Sequence, residues 1–436
     1  MSKNYIFSLA DSFYLLNKEM NYDIAIACSS SLISACLPNI RIPTSKGLPL
    51  SLDEMDAIIG ISGVVKSIPL QKIIEIAKKL GLKLPTFTTT EGPTKYFSEK
   101  DSNGNYKNRP HGLIINDEMS RKFKESKHKD YAAGTIEQYA SFYDRNLEET
   151  YLVKDGLRDP QQPSVSVIAA TITNFLPEIP DHFFSQGLAG RFNWIYCDDI
   201  IGKDYNDDFD ITKTKNYEVA EEQFDQHIEK LKKLYEQNPP KPVYMIMEPD
   251  TNTIFKKFDK EVHQQWQQSA LHNLWACDYQ FLKRLPEMAI KQAGRYAVGR
   301  CIDDIIEDGF DGLTIIKEDM EYGIHRMNVS KGYLEKIFNI RREGVQRMRA
   351  QKKGLPLKRT YSKEHVTGVL ARLGRANTKQ WQKESGISDT ATFNKYRDEA
   401  IKHGMVREVD KSKITKKVDR MRFGADSPAT KIWEPV

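Results

Sequence analysis

The sequence predicts an α/β protein followed by a separate basic domain, and three observations support this prediction. Residues 56–80 (DAIIGISGVVKSIPLQKIIEIAKKL) have the pattern of a short buried strand, a glycine-containing turn and an amphipathic helix. Further apolar runs of strand length occur at residues 112–115, 164–171 and 192–196. Residues 331–436 carry 26 Lys and Arg against 12 Asp and Glu, a net charge of +14, whereas the preceding residues carry −9. A basic segment on an acidic body is typical of a chain with a polyanionic partner, and a merely solvated tail is the alternative.

Length and composition restrict the class of protein. At 436 residues the chain can form two or three domains, and its 39% hydrophobic and 29% charged residues are ordinary for a soluble globular protein. No apolar run approaches the roughly 20 residues that span a bilayer, and the N-terminus lacks the features of a secretory signal. The five cysteines are scattered and never in CxxC spacing, which argues against zinc or a disulfide framework. We therefore expect a cytoplasmic protein with no membrane partner.

The turn after the first strand has the layout of a phosphate-binding loop. In such a loop, N–H groups at the start of a helix bind phosphate oxygens, a lysine reaches the β and γ phosphates, and a hydroxyl binds Mg²⁺. Lys66 and Ser67 would fill the last two roles. The predicted nucleotide-binding residues are Gly60, Ser62, Gly63, Val64, Val65, Lys66, Ser67 and Ile68. Glycine usually precedes the lysine. Because Val65 stands there instead, a strand–turn–helix unit of another α/β domain is the alternative.

Two further strand ends carry polar side chains that suit nucleotide hydrolysis. Asp117 and Glu118 follow the second apolar run; Asp117 would hold Mg²⁺ through water, and Glu118 would polarise the attacking water. The carboxyl ends of parallel strands form the ligand crevice of an open sheet. One of the polar residues that end the third run is therefore expected to contact the γ-phosphate: Thr171, Thr173 or Asn174. For each of them, a polar turn that merely ends the strand is the alternative.

Two arginines are candidates for contacting a nucleotide. Arg191 stands just before the aromatic-rich run, where a permanently charged guanidinium would complete the site of a neighbouring subunit. A surface salt bridge is the alternative. Arg284 lies near the predicted start of a helix over residues 279–298, with Pro286 in its first turn, and is expected to reach back to a nucleotide. Arg295, later in the same helix, is expected to be solvated.

The basic C-terminal segment has the pattern of a helix-turn-helix domain. Residues 331–358 predict a basic helical linker, and three helices are predicted at Ser362–Leu373, Thr378–Ser385 and Thr390–His403, before a strand over residues 405–409. Asp389 is a candidate N-cap of the third helix. Helix, turn, helix and wing suggest a winged helix whose third helix enters a DNA groove, although such domains also mediate protein contacts. The predicted phosphate contacts are Lys395, Arg397 and Lys402.

The order of these motifs resembles the AAA+ ATPase domain of MCM-type helicases and of related helicases encoded with primases on plasmids and viruses. That family has GVAKS where this chain has residues 63–67, GVVKS, so the Val65 substitution falls at a glycine that the family also replaces. Similarity continues at Leu113–Glu118 (LIINDE), Ser166–Thr171 (SVIAAT), residues 190–192 (GRF) and residues 284–287 (RLPE). By resemblance, Lys154 would lie on a pore hairpin that contacts DNA.

The resemblance implies a P-loop AAA+ fold, with a three-layer α/β ATPase core, a helical lid and a C-terminal winged-helix domain. The corresponding segments are a helical N-terminal lead-in (1–52), the ATPase core (53–200), a helical lid or insertion (201–330), a basic linker (331–358) and the winged helix-turn-helix (359–436). The family's zinc-containing N-terminal collar and the primase domain are not found in this sequence.

The implied function is an ATP-dependent, ring-forming DNA helicase or translocase that serves replication of a mobile element or virus. ATP and Mg²⁺ are the expected cofactors, and single-stranded or forked DNA, further copies of the chain in a hexamer, and a primase or polymerase are the expected partners. Two alternatives remain open. One is an AAA+ loader or defence-associated switch that hydrolyses ATP without unwinding. The other is a non-enzymatic DNA-binding or initiator protein in which Val65 blocks productive nucleotide binding.

Overall fold

The computed structural model describes residues 3–16, 20–44, 49–60, 67–87, 91–119, 135–147, 150–152, 156–179, 183–184, 188–197, 215–271, 276–352, 363–373, 375–385, 387, 389–410 and 431–435. Residues Met1–Met348 belong to one compact unit and Arg349–Val436 to a second. Some predicted site residues lie outside the described ranges, namely Ser62, Gly63, Val64, Val65, Lys66 and Lys154.

Helices and strands alternate along most of the first unit. In chain order they are α1 (Tyr5–Leu16), α2 (Tyr22–Ala35), β1 (Ile40–Ile42), β2 (Leu50–Ser51), β3 (Met55–Gly60), α3 (Ser67–Lys79), α4 (Gly92–Ser98), β4 (His111–Asn116), α5 (Thr135–Asp144), β5 (Thr150–Leu152), β6 (Gly156–Arg158), β7 (Ser164–Ile172), β8 (Asn193–Cys197), α6 (Lys215–Glu236), β9 (Val243–Tyr244), β10 (Ile246–Met247), α7 (Pro249–Leu271), α8 (Ala276–Arg300), α9 (Ile302–Asp308), β11 (Thr314–Ile315) and α10 (Lys317–Lys352). No helix in these ranges combines the length and apolarity needed to cross a bilayer.

A four-stranded, all-parallel sheet in the order β4–β7–β3–β8 organises the first unit. All six residues of β3 are buried, as expected for an interior strand whose two faces are both covered. The parallel sheet confirms the predicted α/β class. The predicted strands before Ser67, before Asp117 and before Thr173 are β3, β4 and β7, and the aromatic-rich run is β8.

Apolar side chains cover both faces of this sheet. On one face Ile58, Ile168 and Ile195 belong to a core that also contains residues of α1, α2, α3 and α6. On the opposite face Ile59 and Trp194 belong to a second core with residues of α5, α7, α8 and α10. Successive residues of β3 enter different cores because side chains alternate along a strand. The sheet is therefore the middle of three layers.

The N-terminal helices are part of this layered core. Every residue of α2 from Ile24 to Ala35 is buried. Ser31 Oγ donates to Oδ2 of Asp56, the second residue of β3, at 2.8 Å, and the Ser34 and Ser166 hydroxyls lie 2.6 Å apart. The predicted helical lead-in thus contains a helix, α2, that packs directly on the parallel sheet.

Three local expectations differ from the structure. Residues 86–92 (TFTTTEG) resemble a short strand in the sequence, but residues 86 and 87 form no strand and Gly92 begins α4. Pro286 lies well inside α8, which begins ten residues earlier at Ala276. Packing of a 25-residue helix offsets the hydrogen bond that an interior proline removes. Arg295 is buried, and not solvated, because its guanidinium pairs with Glu54 at 3.0 Å and donates to the Leu52 carbonyl at 2.7 Å.

The second unit contains three helices and a small antiparallel sheet. They are α11 (Lys363–Leu373), β12 (Ala376–Asn377), α12 (Thr378–Glu384), α13 (Thr390–Lys402), β13 (Val406–Glu408) and β14 (Ile432–Pro435), with the strands in the order β12–β14–β13. Trp381, Phe393 and Trp433 share its core. The predicted N-cap of α13 is confirmed, because the Asp389 carboxylate accepts from Thr392 N at 2.8 Å.

Candidate functional site

Three neighbouring strands of the parallel sheet end at one edge. In the register, Ile59 pairs with Thr171 and Gly60 with Ile172, while Asn116 pairs with Ala169. Because the strands are parallel, all three carboxyl ends point the same way, toward the crevice where open α/β sheets bind ligands. The helix α3, which follows β3, begins at Ser67. The structure therefore brings together the ends of the three segments that carry the predicted site.

Strand β7 lies between β3 and β4, so that the ends of β3 and β4 are two strand spacings, roughly 10 Å, apart. This gap is wide enough for phosphate groups and water between the end of β3 and the acidic pair that follows β4. The residue that ends β7 must then lie between them. Thr171 is in this position, level with Ile59 on one side.

Thr171 contacts the predicted catalytic carboxylate directly. Its Oγ1 donates to Glu118 Oε1 at 2.9 Å. The backbone N–H of Glu118 donates to Asn116 Oδ1 at 3.3 Å, so both ends of this residue are held. The neighbouring Asp117 is exposed. The Asp117 carboxylate is therefore exposed at the edge of the sheet, whereas the Thr171 hydroxyl holds the carboxylate of Glu118.

The other two polar candidates on this segment differ in exposure. Thr173 and Asn174 open a 3₁₀ helix, Thr173–Glu178, that directly follows β7. Thr173 is buried and Asn174 is exposed. Of the three candidates, Thr171 is the one that hydrogen-bonds to the acidic pair, whereas the roles of Thr173 and Asn174 stay predictions.

The first residues of α3 are exposed, and an ion pair in its second turn ties it to α6. Ser67 and Ile68 are exposed, and Pro69 lies in the first turn, where its missing N–H is tolerated. Lys72, one turn later, is buried, and its Nζ lies 2.6 and 2.7 Å from the two carboxylate oxygens of Glu221 in α6. A helix N-terminus with exposed N–H groups favours an anion, and the Lys72 contact fixes its position.

Arg191 lies at the opposite, amino edge of the sheet. It stands two residues before β8, whose five residues span roughly 15 Å. Arg191 therefore cannot reach the carboxyl edge of the sheet in its own chain. Within the chain its Nη2 pairs with Asp144 Oδ2 at 2.5 Å, and its side chain is 11% exposed. The salt bridge considered as an alternative for Arg191 is thus present.

Arg284 also contacts Asp144, the partner of Arg191. We call the group around these residues the amino-edge cluster: Tyr143, Asp144, Arg191, Arg284, Glu287 and Lys291. Arg284 Nη2 lies 3.5 Å from Asp144 Oδ1, and its Nη1 lies 2.8 Å from Glu287 Oε2. Burial by itself would lower the pKa of Arg284, but Glu287 and then Asp144 raise it. Burial lowers the pKa of Lys291 to about 8 and raises that of Tyr143 well above its usual range.

The second unit places its predicted DNA contacts on different sides of α13. Lys395 and Lys402 are exposed and seven residues apart, which puts them on one helix face. Arg397 is turned away from solvent: its side chain is 19% exposed, its Nη2 pairs with Asp398 at 2.7 Å, and its guanidinium lies 5.7 Å from the Trp433 ring centroid. Two of the three predicted phosphate contacts therefore face water.

Sequence reasoning missed the partners of the two arginines. Asp144 and Tyr143 end a helix, and Lys291 lies in the interior of another, without a motif at either place. It also missed a buried ion pair at the same edge, where Arg145 Nε lies 2.6 Å from Asp53 Oδ2. The charges of these residues were visible in the sequence, but their contacts depend on the packing of distant segments.

Among the described residues, no group of three or more His, Cys, Asp and Glu side chains could hold a metal ion. Comparison with known proteins gives no further guide, because the chain matches no protein-family model and no curated protein is significantly similar to it.

Proposed function

We propose that this chain is an ATP-hydrolysing, DNA-translocating enzyme that works as a ring of identical copies. One observation carries the proposal: Thr171 and Glu118 are hydrogen-bonded at the carboxyl edge of a parallel sheet, beside the strand that leads into α3. A carboxylate held at the edge where a neighbouring strand leads into a helix suits the activation of water next to a terminal phosphate. The resemblance of the motif order to MCM-type AAA+ helicases points to the same activity.

In this proposal the nucleoside triphosphate binds between β3 and α3. Lys66 meets the β and γ phosphates, and the first N–H groups of α3 donate to phosphate oxygens. The exposed Ser67 hydroxyl and Asp117 carboxylate fit Mg²⁺, which takes few protein oxygens and keeps several waters in phosphate sites. When bound, Mg²⁺ supplies neutralisation of the phosphate charge.

Glu118 accepts the proton of the attacking water, and the Thr171 hydroxyl keeps that carboxylate in one orientation. Because Arg191 lies across the sheet from this edge, the guanidinium that meets the γ-phosphate charge comes from a second copy. ATP then binds at the contact between copies, and hydrolysis depends on assembly. This dependence is the reason for proposing a ring.

The basic second unit supplies DNA affinity. Lys395 and Lys402 on the exposed face of α13 contact phosphates. The resemblance assigns a pore contact with DNA to Lys154, which lies outside the described residues. The strands on either side of it, β5 and β6, pair antiparallel with Leu152 opposite Gly156.

The decisive experiment measures ATP hydrolysis with and without single-stranded DNA. We expect DNA-stimulated turnover in the natural sequence and a loss of about 100-fold or more in Lys66→Ala. Lys78→Ala is the matched control, because Lys78 is exposed later in the same helix and should leave turnover unchanged. Equal turnover in Lys66→Ala and Lys78→Ala would defeat the proposal.

Two assays separate the alternatives. Unwinding of a forked duplex distinguishes a helicase from a loader or switch that hydrolyses ATP without unwinding. A fluorescent-ATP titration tests the non-enzymatic alternative, which predicts DNA binding and no nucleotide affinity. The particle mass with ATP and DNA tests the ring, since a hexamer would bring Arg191 of each copy to its neighbour.

A further inference from the structure

Arg191, which is proposed to act on a neighbour's nucleotide, shares one partner in its own chain with Arg284, the second arginine expected to contact a nucleotide. Asp144 Oδ2 lies 2.5 Å from Arg191 Nη2, and Asp144 Oδ1 lies 3.5 Å from Arg284 Nη2. Both guanidinium carbons also lie 5.8 Å from the centroid of the Tyr143 ring. Two guanidinium groups that converge on the two oxygens of one anion form the arrangement that also binds a phosphate group.

The anion in this arrangement is the most exposed member. The Asp144 side chain is 37% exposed, against 31% for Arg284 and 11% for Arg191. Nearby, the Lys291 ammonium lies 3.8 Å from the centroid of the Tyr143 ring and adds a third positive charge. A ligand that approaches from solvent therefore meets Asp144 first and the arginines behind it.

The backbone beside Asp144 is fixed, whereas its carboxylate is not deeply buried. Arg145 has a φ of 51°, and its guanidinium is held by Asp53 at 2.6 Å and by the Ser164 hydroxyl. Asp144 can leave the arginines by a change of side-chain rotamer, with α5 and Arg145 unchanged. An ion pair at this exposure contributes little free energy, and a phosphate group bound by both arginines forms stronger charge-assisted hydrogen bonds.

We propose that Asp144 occupies, in the isolated chain, an anion site that Arg191 and Arg284 form for the terminal phosphate of a nucleotide bound to a second copy. This inference rests on the proposed function for the identity of the phosphate. The consequence is self-inhibition: an unassembled copy keeps its arginines neutralised, and a neighbour's nucleotide must displace Asp144. Assembly and nucleotide binding are thereby coupled.

The first test compares Asp144→Asn with the natural sequence as the protein concentration is varied. Asparagine keeps the shape and removes the charge, so half-maximal ATP turnover should require about fivefold less protein. Glu99→Gln is the control, because it likewise removes a carboxylate charge from an ion pair, the one with Lys107 at 2.9 Å, and Glu99 does not belong to the amino-edge cluster. An unchanged or higher concentration requirement in folded Asp144→Asn would overturn the inference.

A second test does not depend on hydrolysis. In a Lys66→Ala background, which removes the chain's own phosphate contact, inorganic tripolyphosphate should bind about fivefold more tightly once Asp144→Asn is added. Further addition of Arg191→Ala and Arg284→Ala should abolish this gain. If the natural sequence hydrolyses no ATP but this pattern is found, the proposed function fails and the anion site stands. If ATP is hydrolysed but the gain is missing, the anion site fails. Asp144→Ala serves as the second variant if Asp144→Asn does not fold.

Discussion

The Thr171 hydroxyl donates a hydrogen bond of 2.9 Å to Oε1 of Glu118, from the end of β7 to the residues that follow β4. The two strands are neighbours in the sheet, and their register continued by two residues puts these side chains level. Glu118 is thereby directed along the sheet edge toward β3 and the start of α3. A general base that is held in one orientation reaches its reactive position more often than a free one.

Replacing Thr171 by Val keeps the shape of the side chain and removes the donor. We expect ATP turnover to fall about tenfold, because Glu118 loses its orientation, while the affinity for nucleotide stays unchanged. Steady-state kinetics that resolve kcat and KM check this result. Thr314→Val, at a short strand elsewhere in the unit, is the control. A rise in KM with unchanged kcat would mean that Thr171 binds substrate and does not position Glu118.

Mixing two inactive variants tests whether Arg191 acts on another copy. Lys66→Ala and Arg191→Ala should each abolish turnover alone. In an equal mixture, about a quarter of the interfaces combine an intact phosphate loop with an intact arginine if copies exchange at random. Turnover should therefore return to roughly that fraction of the natural rate. A mixture as inactive as its components, in a sample that exchanges subunits, would place Arg191 in a structural role.

Local sequence patterns were sufficient to predict three strands of the parallel sheet and the polar residues at its carboxyl edge. The strands β3, β4 and β7 were predictable because apolar runs of strand length are bounded by glycine or polar residues. Asp117, Glu118 and Thr171 were predictable as edge residues because they directly follow such runs, and parallel strands end on one side. The order of the strands was not predictable in this way, and that order is what puts Thr171 beside Glu118.

Long-range ion pairs had no local signal. Arg191 and Asp144 are 47 residues apart in the chain, and Arg295 and Glu54 are 241 apart. A solvated arginine and a buried paired arginine have the same sequence pattern on a helix, so the sequence alone predicts a solvated Arg295. Helix propensity disfavours Pro286 outside a first turn, and the packing of α8 outweighs that preference.

Salt dependence distinguishes the two faces of α13. Lys395→Ala combined with Lys402→Ala should reduce the slope of log affinity against log salt by about 1.4 to 1.8, since two phosphate contacts are lost. Arg397→Ala should change the slope little, because its guanidinium already pairs with Asp398. Fluorescence anisotropy with DNA over a range of salt concentrations measures both. Equal slopes for the double variant and the natural sequence would exclude this face as the DNA contact.

Two partly buried histidines should make stability depend on pH. Burial, and then the charge of Lys230, lowers the pKa of His227 to about 4. Burial, and then the charge of Arg109, lowers the pKa of His111 to about 4. The unfolded chain binds these protons near pH 6.5, so between about pH 6.5 and pH 4 it holds more protons than the folded chain. The free energy of unfolding should therefore fall as pH decreases through this window.

Urea denaturation at about pH 7.5 and about pH 5 measures this dependence. His227→Gln should reduce the decrease, since its ring, between the Tyr5 and Ser12 hydroxyls at 3.2 and 3.1 Å, no longer titrates. His263→Gln is the control, because His263 is exposed. An equal decrease in both variants would assign the pH dependence to other groups.

The buried pair of Arg145 and Asp53 should contribute strongly to the stability of the first unit. Burial by itself would raise the pKa of Asp53, but Arg145 lowers it to about 2, so the carboxylate stays charged at 2% exposure. Arg145→Ala leaves that charge buried without its partner and should reduce the free energy of unfolding by about 3–5 kcal/mol. Adding Asp53→Asn should recover part of the loss, because it removes the uncompensated charge. Lys107→Ala, which breaks a half-exposed pair, should have a far smaller effect. If chemical denaturation gives Arg145→Ala and Lys107→Ala the same stability, the amino edge is held by apolar packing and not by this ion pair.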